Sequence, residues 1–257
     1  MIPLTGEEAG EILGIPGLPA PITGISIDTR TLRPGDLFVA LRGERHDGHD
    51  YVEQALAAGA AAAVVAVDDG LHQRLDSRLR ARLVPVPDTL QALGALARGV
   101  RRKAGAKVIA ITGSAGKTST KDLVAALAGQ VCRVVATAAN QNNEIGVPLT
   151  LLSIEPTTEV VVVEMGMRGR GQIAALTQIA EPDVGVITNV YPVHLELLGS
   201  LEAIAEAKAE LMAGLESSCR AVVPAGSRAL APHVERARCG VVTFAFEGFA
   251  SPEASGL

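Results

Sequence analysis

Aromatic residues are scarce in this chain. Phe, Trp and Tyr together make up 2% of its 257 residues, and tryptophan does not occur at all. The hydrophobic fraction is nevertheless 48%, so the apolar material is mainly Ala, Val, Leu and Ile. Aliphatic strands without large rings are typical of parallel sheets that helices cover. The length suits two domains of ordinary size or one large domain.

Cysteine is also rare. The chain contains Cys132, Cys219 and Cys239, an odd number whose spacing fits no zinc site, which favours reduced thiols. The net charge is −5 with both signs dispersed, which argues against a nucleic-acid binder with a basic face. Residues 1–10 lack the pattern of a signal peptide, and no apolar run approaches the length of a membrane span. We therefore expect a cytoplasmic monomer with neither a nucleic-acid nor a membrane partner.

The first hundred residues predict a small α/β domain. The predicted strands are 35–41, 61–67 and 83–86. The predicted helices are 49–59 and one that runs from the capping residue Asp88 to about Lys103. The polar, basic segment 101–106 predicts a boundary, which gives domains of residues 1–103 and 104–257.

The second domain alternates strands with helices. The predicted strands are 108–112, 134–137, 160–164, 184–188 and 221–223. The predicted helices are about 117–128, 170–180 and 200–215. The strands are apolar on both faces, as in a parallel sheet covered on both sides. The pattern predicts a doubly wound, mostly parallel sheet whose ligands bind at the carboxyl ends of the strands.

A glycine-rich phosphate loop is the strongest motif. The segment TGSAGKT, residues 112–118, follows a predicted strand and opens a predicted helix. Two glycines let backbone N–H groups turn toward an anion, Lys117 can reach the outer phosphates, and the Thr118 hydroxyl can bind Mg²⁺. A glycine turn that only caps a helix is the alternative, and the Lys-Thr pair argues against it. The residues predicted to bind nucleotide are Gly113, Ser114, Ala115, Gly116, Lys117, Thr118 and Ser119.

Three further side chains are candidates at the carboxyl ends of strands or beyond them. Glu164 ends a predicted strand, where its carboxylate could complete the shell of Mg²⁺, although a strand-end glutamate is as often solvated. His194 lies in a loop and Lys208 in an alanine-rich helix. Sequence context alone favours a surface position for His194. It favours an exposed position for Lys208, with its ammonium paired to a glutamate on the same helix.

An amide-rich loop precedes a helix predicted to begin near Gly146. It contains Asn140, Asn142, Asn143 and Glu144. Such a loop offers many donors and acceptors to a polar ligand, and an asparagine-rich turn that caps the helix is an equally good explanation.

Together these segments resemble the Mur ligases of peptidoglycan synthesis. TGSAGKTS is similar to the family's nucleotide signature, and VVVEMGMRGRGQI and ITNVYPVHLELLGSLEAIAEAKAEL are similar to its strand-Glu and His…Lys segments. SIDTRTLRPGDLFVALRGERHDGHDYVEQALAAGA is similar to its UDP-sugar-binding domain. NQNNEIGVPLTLL is most similar to the members that add D-alanyl-D-alanine to a UDP-N-acetylmuramoyl tripeptide. The resemblance covers nearly the whole chain.

The resemblance implies an ATP-dependent, ADP-forming amide-bond ligase. A substrate carboxylate would take the γ-phosphate of ATP to form an acyl phosphate, which the amine of D-alanyl-D-alanine would then attack. The implied catalytic residues are Lys117, His194 and Lys208. The implied Mg²⁺ ligands are Thr118, Glu164, His194 and Lys208, the last as a carbamate. The implied contacts of the UDP-N-acetylmuramoyl-peptide are Ser26, Thr29, Arg30, Arg42, Gly43, Asp47, His49, Asn140 and Asn143.

The sequence departs from the family pattern in three respects. Gln141 stands where an aromatic residue is expected, and Ala139 stands where glycine is expected. The family continues with a second Asn-containing motif and a C-terminal domain, so we expect both to be absent here. We also expect the chain by itself to bind UDP-muramoyl-peptide weakly and to turn over little or nothing.

Other functions remain open at this point. One is another Mur-type amino-acid ligase or a polyglutamate-forming relative, against which NNEIGVPLTLL argues. Another is a UDP-sugar- or nucleotide-binding fragment without catalysis. A P-loop kinase or GTPase is disfavoured, because Ile111 stands where the general P-loop has its first glycine.

Overall fold

The computed structural model describes residues 1–18, 20–67, 70–71, 75–192 and 198–245. It confirms the α/β class, because every strand pair in its two sheets is parallel and helices connect most consecutive strands. The chain divides into two compact units. The first comprises Met1–Ala104 with Leu152–Pro156, and the second comprises Gly105–Leu151 with Thr157–Leu257. Within the described residues, no helix combines the length and apolar character that crossing a bilayer requires.

The first unit contains a four-stranded parallel sheet of order β1-β2-β3-β4. Its strands are β1 Gly24–Ser26, β2 Asp36–Val39, β3 Ala62–Ala66 and β4 Leu83–Val86. β2 is buried along its whole length, and β3 along all but its last residue, which agrees with the apolar runs that predicted them. The three-residue β1 is too short to produce a recognisable pattern, and the sequence did not predict it.

Most described helices of this unit begin at a side-chain cap. The helices are α1 Gly6–Leu13, a 3-10 turn Gly48–Tyr51, α2 Val52–Ala57, α3 Ser77–Arg80 and α4 Thr89–Lys103. As predicted, the Asp88 side chain accepts from the backbone N–H groups of Leu90 and Gln91 at the start of α4. Thr5 and Glu8 form a capping box on α1, a helix that the sequence analysis did not predict.

The second unit contains a six-stranded parallel sheet of order β10-β9-β8-β5-β7-β6. Its strands are β5 Lys107–Thr112, β6 Val134–Ala136, β7 Val160–Glu164, β8 Val184–Ile187, β9 Arg220–Pro224 and β10 Gly240–Phe244. The chain runs from β5 to one side of the sheet and later returns to its other side at β8, so β5 marks a topological switch point. In such sheets the crevice at the carboxyl ends of the strands beside the switch point is the usual ligand site.

The helices of the second unit agree closely with prediction. They are α5 Lys117–Ala128, α6 Gly146–Leu152, α7 Gln172–Ala180, α8 Leu201–Ala213 and α9 Ala231–Glu235. α5 and the beginning of α6 match the predicted residues, whereas α7 begins two residues later than predicted because Gly171 in the left-handed conformation precedes it. The short α9 and the edge strand β10 were not predicted.

Candidate functional site

The glycine-rich loop occupies the turn between β5 and α5. Gly116 adopts a left-handed backbone, with φ of 76°, directly before the first residue of the helix. Gly113 has φ of 151°, and a Cβ atom there would overlap Thr188 Oγ1 at the end of β8. Both glycines are therefore required by the backbone and by the close approach of a neighbouring strand.

The segment after β8 fixes the conformation of this loop. The Asn189 side chain accepts from the backbone N–H of Ala115 at 2.9 Å and donates to the Ala115 carbonyl at 3.0 Å. The hydroxyl of Ser114 donates to the carbonyl of Tyr191 and accepts from its N–H. Thr188 Oγ1 also donates to the Ala115 carbonyl, at 2.7 Å. These contacts hold the outer part of the loop in place.

Lys117 begins α5 and folds back over the loop. Its Nζ donates to the Gly113 carbonyl at 2.9 Å and lies 3.5 Å from the Ser114 carbonyl. No side chain of the described residues caps this helix, since Gly116 has none to offer. A helix N-terminus with uncapped N–H groups beside an ammonium group is an anion-binding arrangement.

The carboxylate of Glu164 lies opposite the first turn of α5. It ends β7, and its residue is 2% exposed. Oε2 accepts from the Thr118 hydroxyl at 2.8 Å, and Oε1 accepts from the Asn142 side-chain amide at 2.8 Å. Residue 164 pairs with Ile111 of β5 in the sheet, which explains why the carboxylate lies beside the loop.

Lys208 lies on α8 and is buried, with 2% of its residue surface exposed. Burial first, and second the positive charge of Lys117, lower the pKa of its ammonium to about 8. Within the described residues, this ammonium has neither a hydrogen-bond acceptor nor a carboxylate partner. The interpretation of Lys208 as an exposed cation with a glutamate partner is therefore wrong.

The neighbouring glutamates of α8 serve other groups. Glu206 pairs with Arg170 at 2.8 Å. Glu210 accepts from the N–H groups of Gly171 and Ala174 and so caps α7. The spacing of Lys208 from glutamates along the helix favoured an exposed position. Lys208 is nevertheless buried, because α8 packs with that side chain toward the interior.

The amide-rich loop is partly a capping structure. Asn143 Oδ1 accepts from the N–H of Gly146 at 2.9 Å at the start of α6. Asn143 therefore caps this helix, which was one of the two explanations of the amide-rich loop. Asn140 is exposed, and its carbonyl accepts from the N–H of Asn142. Ala139, where the family pattern has glycine, has φ of 47°, a left-handed conformation that glycine adopts more easily.

In the first unit, one candidate group follows β1. Ser26 is buried, and its hydroxyl donates to the Asp28 carbonyl and accepts from the Asp28 N–H. Arg30 is exposed and forms a bidentate ion pair with Asp28, at 2.6 Å in its shorter contact. Hydrogen bonds from the Arg30 side chain, then from its backbone, lower the pKa of Asp28 to about 2. Thr29 lies half-buried between them.

The second candidate group follows β2, the strand beside β1. Arg42 Nε lies 3.3 Å from Asp47 Oδ2, and the N–H of Gly43 donates to the His46 carbonyl, which closes a tight loop. His49 is buried; its Nδ1 lies 2.5 Å from Asp47 Oδ1, and its Nε2 accepts from the N–H of Ala66. Burial raises the pKa of Asp47, but the hydrogen bonds from His49 and the charge of Arg42 outweigh burial and lower it.

Both nitrogens of His49 are thus used within the protein. The acceptor role of Nε2 fixes the proton on Nδ1, where it is donated to Asp47. Of the residues predicted to contact the substrate on these two loops, Arg30, Arg42 and Gly43 are exposed. Since carboxyl ends of neighbouring parallel strands meet at one sheet edge, the two loops lie side by side.

Several predicted residues of the second unit therefore converge. Lys117, Thr118 and Glu164 meet at the carboxyl ends of β5 and β7, and Lys208 is near enough to Lys117 for their charges to interact. His194 lies outside the described residues. Sequence reasoning included Asn142 only as part of the amide-rich loop and gave no role to Asn189; Asn142 holds the carboxylate and Asn189 holds the loop.

The oxygen atoms at this site fit Mg²⁺. Thr118 supplies a hydroxyl and Glu164 a carboxylate, and Mg²⁺ is usually held by one or two carboxylates together with water and substrate phosphates. Over the part of the chain that the structure describes, no group of three or more His, Cys, Asp or Glu residues could hold a metal. The residues present thus suit an ion that phosphate oxygens help to bind.

Two family models match this chain. The Mur ligase middle domain matches residues 111–255, more than half of the chain. The catalytic domain of the Mur ligase family matches residues 21–101.

Two similar proteins from different organisms carry the same name. UDP-N-acetylmuramoyl-tripeptide–D-alanyl-D-alanine ligases of Synechocystis sp. and Bacillus subtilis are each 46% identical to the chain. The first match covers 88% of this chain and 49% of that protein, and the second covers 76% and 42%. The chain spans about half the length of the curated relatives it matches.

Solved structures agree. A crystal structure of MurF from Acinetobacter baumannii has a TM-score of 0.83 and 31% identity, over 95% of this chain and 53% of that one. The MurF ligase from Thermotoga maritima in complex with ADP has a TM-score of 0.78 and 34% identity, over 88% and 51%.

Proposed function

Because the chain belongs to the Mur ligase family, we propose that it provides the UDP-substrate and ATP sites of a ligase of peptidoglycan synthesis. That ligase joins D-alanyl-D-alanine to UDP-N-acetylmuramoyl-tripeptide in the cytoplasm. Residues 1–103 bind the UDP substrate and residues 104–257 bind ATP. The observation that carries the proposal is the convergence of the glycine-rich loop, Thr118 and Glu164 at the switch point of the sheet.

ATP is held by its phosphates in the turn before α5. The N–H groups of the first helical turn and the Lys117 ammonium supply positive potential where the β- and γ-phosphates lie. Lys117 now bonds carbonyl oxygens of the loop, weak neutral partners that phosphate oxygens can replace. Asn189 keeps the loop in its shape without occupying the crevice. The chain thus enters phosphoryl transfer with its donors already oriented.

Thr118 and Glu164 would hold Mg²⁺, with His194 and Lys208 as further ligands. When bound, the ion would neutralise the charge of the phosphate oxygens and of the attacking substrate carboxylate. The substrate carboxylate bonds to the γ-phosphorus as ADP leaves, and the resulting acyl phosphate is attacked at carbon by the amine of D-alanyl-D-alanine as phosphate leaves. Lys117 stabilises the developing negative charge.

The environment of Lys208 supports its carbamylation. CO₂ adds to a neutral amine, which releases a proton and leaves a carbamate anion. Burial, together with the charge of Lys117, lowers the pKa of Lys208 to about 8, which increases the neutral fraction near physiological pH. A carbamate would also replace the repulsion between Lys208 and Lys117 by attraction and would provide an oxygen ligand for Mg²⁺.

The loops after β1 and β2 suit the UDP end of the other substrate. The exposed guanidinium groups of Arg30 and Arg42, on loops that follow neighbouring strands, can bind a diphosphate. Asp28 and Asp47 currently hold these two side chains by ion pairs. His49 supports the site by fixing Asp47.

Calorimetric titration of the chain tests the proposal. UDP-N-acetylmuramoyl-tripeptide and Mg²⁺-ADP should each bind, at two separate sites. Lys117→Ala should weaken ADP binding by about tenfold or more, because a charge-assisted contact to phosphate is lost, and should leave UDP-substrate binding unchanged. Lys107→Ala, at an exposed lysine of the same unit, is the matched control. Undiminished ADP binding by the Lys117 variant would contradict the proposal.

The choice of ligase is tested by substrate pairs. ADP release should be greater with UDP-muramoyl-tripeptide plus D-alanyl-D-alanine than with UDP-muramoyl-dipeptide plus a diamino acid. Tighter calorimetric binding of the tripeptide substrate than of the dipeptide substrate is expected for the same reason. A preference for the second pair would assign the chain to the ligase that adds the third amino acid.

A further inference from the structure

The two oxygens of the Glu164 carboxylate have different partners. Oε2 accepts from the Thr118 hydroxyl and Oε1 from the Asn142 amide, both at 2.8 Å. The Thr118 contact is the one that a bound ion would share or replace. The Asn142 contact is on the other oxygen, so it can persist when the site is loaded.

The backbone of Glu164 is fixed by separate groups. Its N–H donates to Thr137 Oγ1 at 3.0 Å, and the Thr137 carbonyl accepts from the buried ammonium of Lys121 at 2.9 Å. The remaining freedom of Glu164 is therefore the rotation of its side chain. A carboxylate buried to this extent has few conformations, and its hydrogen-bond donors choose among them.

The backbone of Asn142 is fixed by two hydrogen bonds. Its carbonyl accepts from the N–H of Gly166 at 2.8 Å, and its N–H donates to the Asn140 carbonyl at 2.8 Å. A Cβ atom on residue 166 would lie 2.7 Å from Asn142 Oδ1 and 2.9 Å from its Cγ. Glycine at 166 is thus what leaves room for the amide beside Glu164.

We propose that Asn142 is a positioning residue that aims the Glu164 carboxylate at the Mg²⁺ site. Its amide retains Oε1 and thereby turns Oε2 toward Thr118. The inference rests on the proposed Mg²⁺-nucleotide function and adds to it a side chain outside the ligand set. Asn142 belongs to the loop that also carries Asn140 and Asn143, so movement of that loop changes the orientation of the carboxylate.

The test is ADP binding by the 257-residue chain, measured by calorimetry with Mg²⁺ and again with EDTA. The quantity compared is the factor by which Mg²⁺ strengthens ADP binding. Asn142→Ala should reduce this factor about tenfold, as loss of a group that orients a metal ligand does, and leave binding in EDTA unchanged. A residue that only stabilised the fold would weaken both equally.

Gly166→Ala provides a second, independent perturbation. The added methyl group displaces the Asn142 amide without removing it, so the same reduction is expected. In the double variant the methyl group meets no amide, and no further reduction should follow. Gln178→Ala removes an exposed amide from α7 and should behave as wild type.

The outcomes separate the two hypotheses. If the wild-type chain binds ADP equally with and without Mg²⁺, the proposed function and this inference both fail. If wild-type binding depends on Mg²⁺ and folded Asn142→Ala retains the full factor, only the inference fails. Equal losses with Mg²⁺ and with EDTA would also overturn it. Should Gly166→Ala fail to fold, the Asn142 variant decides.

Discussion

Replacement of Lys208 by methionine should stabilise the second unit. Methionine keeps much of the aliphatic length and removes a buried ammonium that has no partner among the described residues. The pKa of Lys208 falls from 10.5 to about 8, first through burial and second through the charge of Lys117. A displacement of that size means that protonated Lys208 costs the folded state about 3 kcal/mol.

The sign of the pH dependence follows from the same displacement. Below pH 8 both the folded and the unfolded chain hold the proton, and the whole cost is present. Between pH 8 and 10.5 the unfolded chain binds the proton more tightly, so the stability of the wild type rises with pH. The advantage of Lys208→Met should therefore be largest near neutral pH and shrink through this window.

Urea denaturation in CO₂-free buffer, from about pH 7 to about pH 10, measures this difference. Lys107→Met, at an exposed lysine of the same unit, should not show the stabilisation. A stability difference between wild type and Lys208→Met that does not change with pH would refute the reasoning. Added bicarbonate should stabilise the wild type but not the methionine variant, and ¹³C-bicarbonate should yield a carbamate resonance in the wild type alone.

Three other substitutions test the loops. Gly113→Ala should abolish ADP binding, because its Cβ would overlap Thr188 Oγ1; wild-type affinity in calorimetry would contradict this. Asn189→Ala should weaken ADP binding about tenfold with a small change in melting temperature, because it releases the N–H of Ala115 and removes one of the two donors to the Ala115 carbonyl; a variant that melts much earlier yet binds normally would argue for a structural role. Ala139→Gly should raise stability by about 1 kcal/mol by relieving a left-handed alanine, and a loss of stability in urea denaturation would contradict that conformation.

The sequence predicted most strongly those elements whose local signals agreed. α5 begins at Lys117 as expected, because a strand, two glycines and a helical pattern follow one another without ambiguity. β7 matches its predicted residues since four consecutive valines precede Glu164. The short elements α3, α9 and β1 gave no such agreement. The Thr5…Glu8 spacing is itself a capping-box signal for α1.

The contacts between loops could not be predicted in the same way. Asn189 follows a strand end, the same signal that selected Glu164, but only the order of the sheet determines which loop it meets. The burial of Lys208 likewise depends on how α8 packs, which spacing along one helix does not determine. Asn142 was recognised only as part of an amide-rich segment, because its partner Glu164 comes later in the chain and meets it through β6 and β7.

Sheet order explains why these residues form one site. β5 pairs with β7 on one side and with β8 on the other, so its last residue lies between Glu164 and the Thr188–Asn189 segment. Asn189, which follows β8, can therefore hold the loop after β5. The helix that follows this loop, α5, places Thr118 beside Glu164 of β7. Each neighbour does one task, since β8 shapes the anion-binding turn and β7 supplies the carboxylate. Substitutions on the β8 side should thus alter nucleotide binding even in EDTA, whereas those around Glu164 should act only through Mg²⁺.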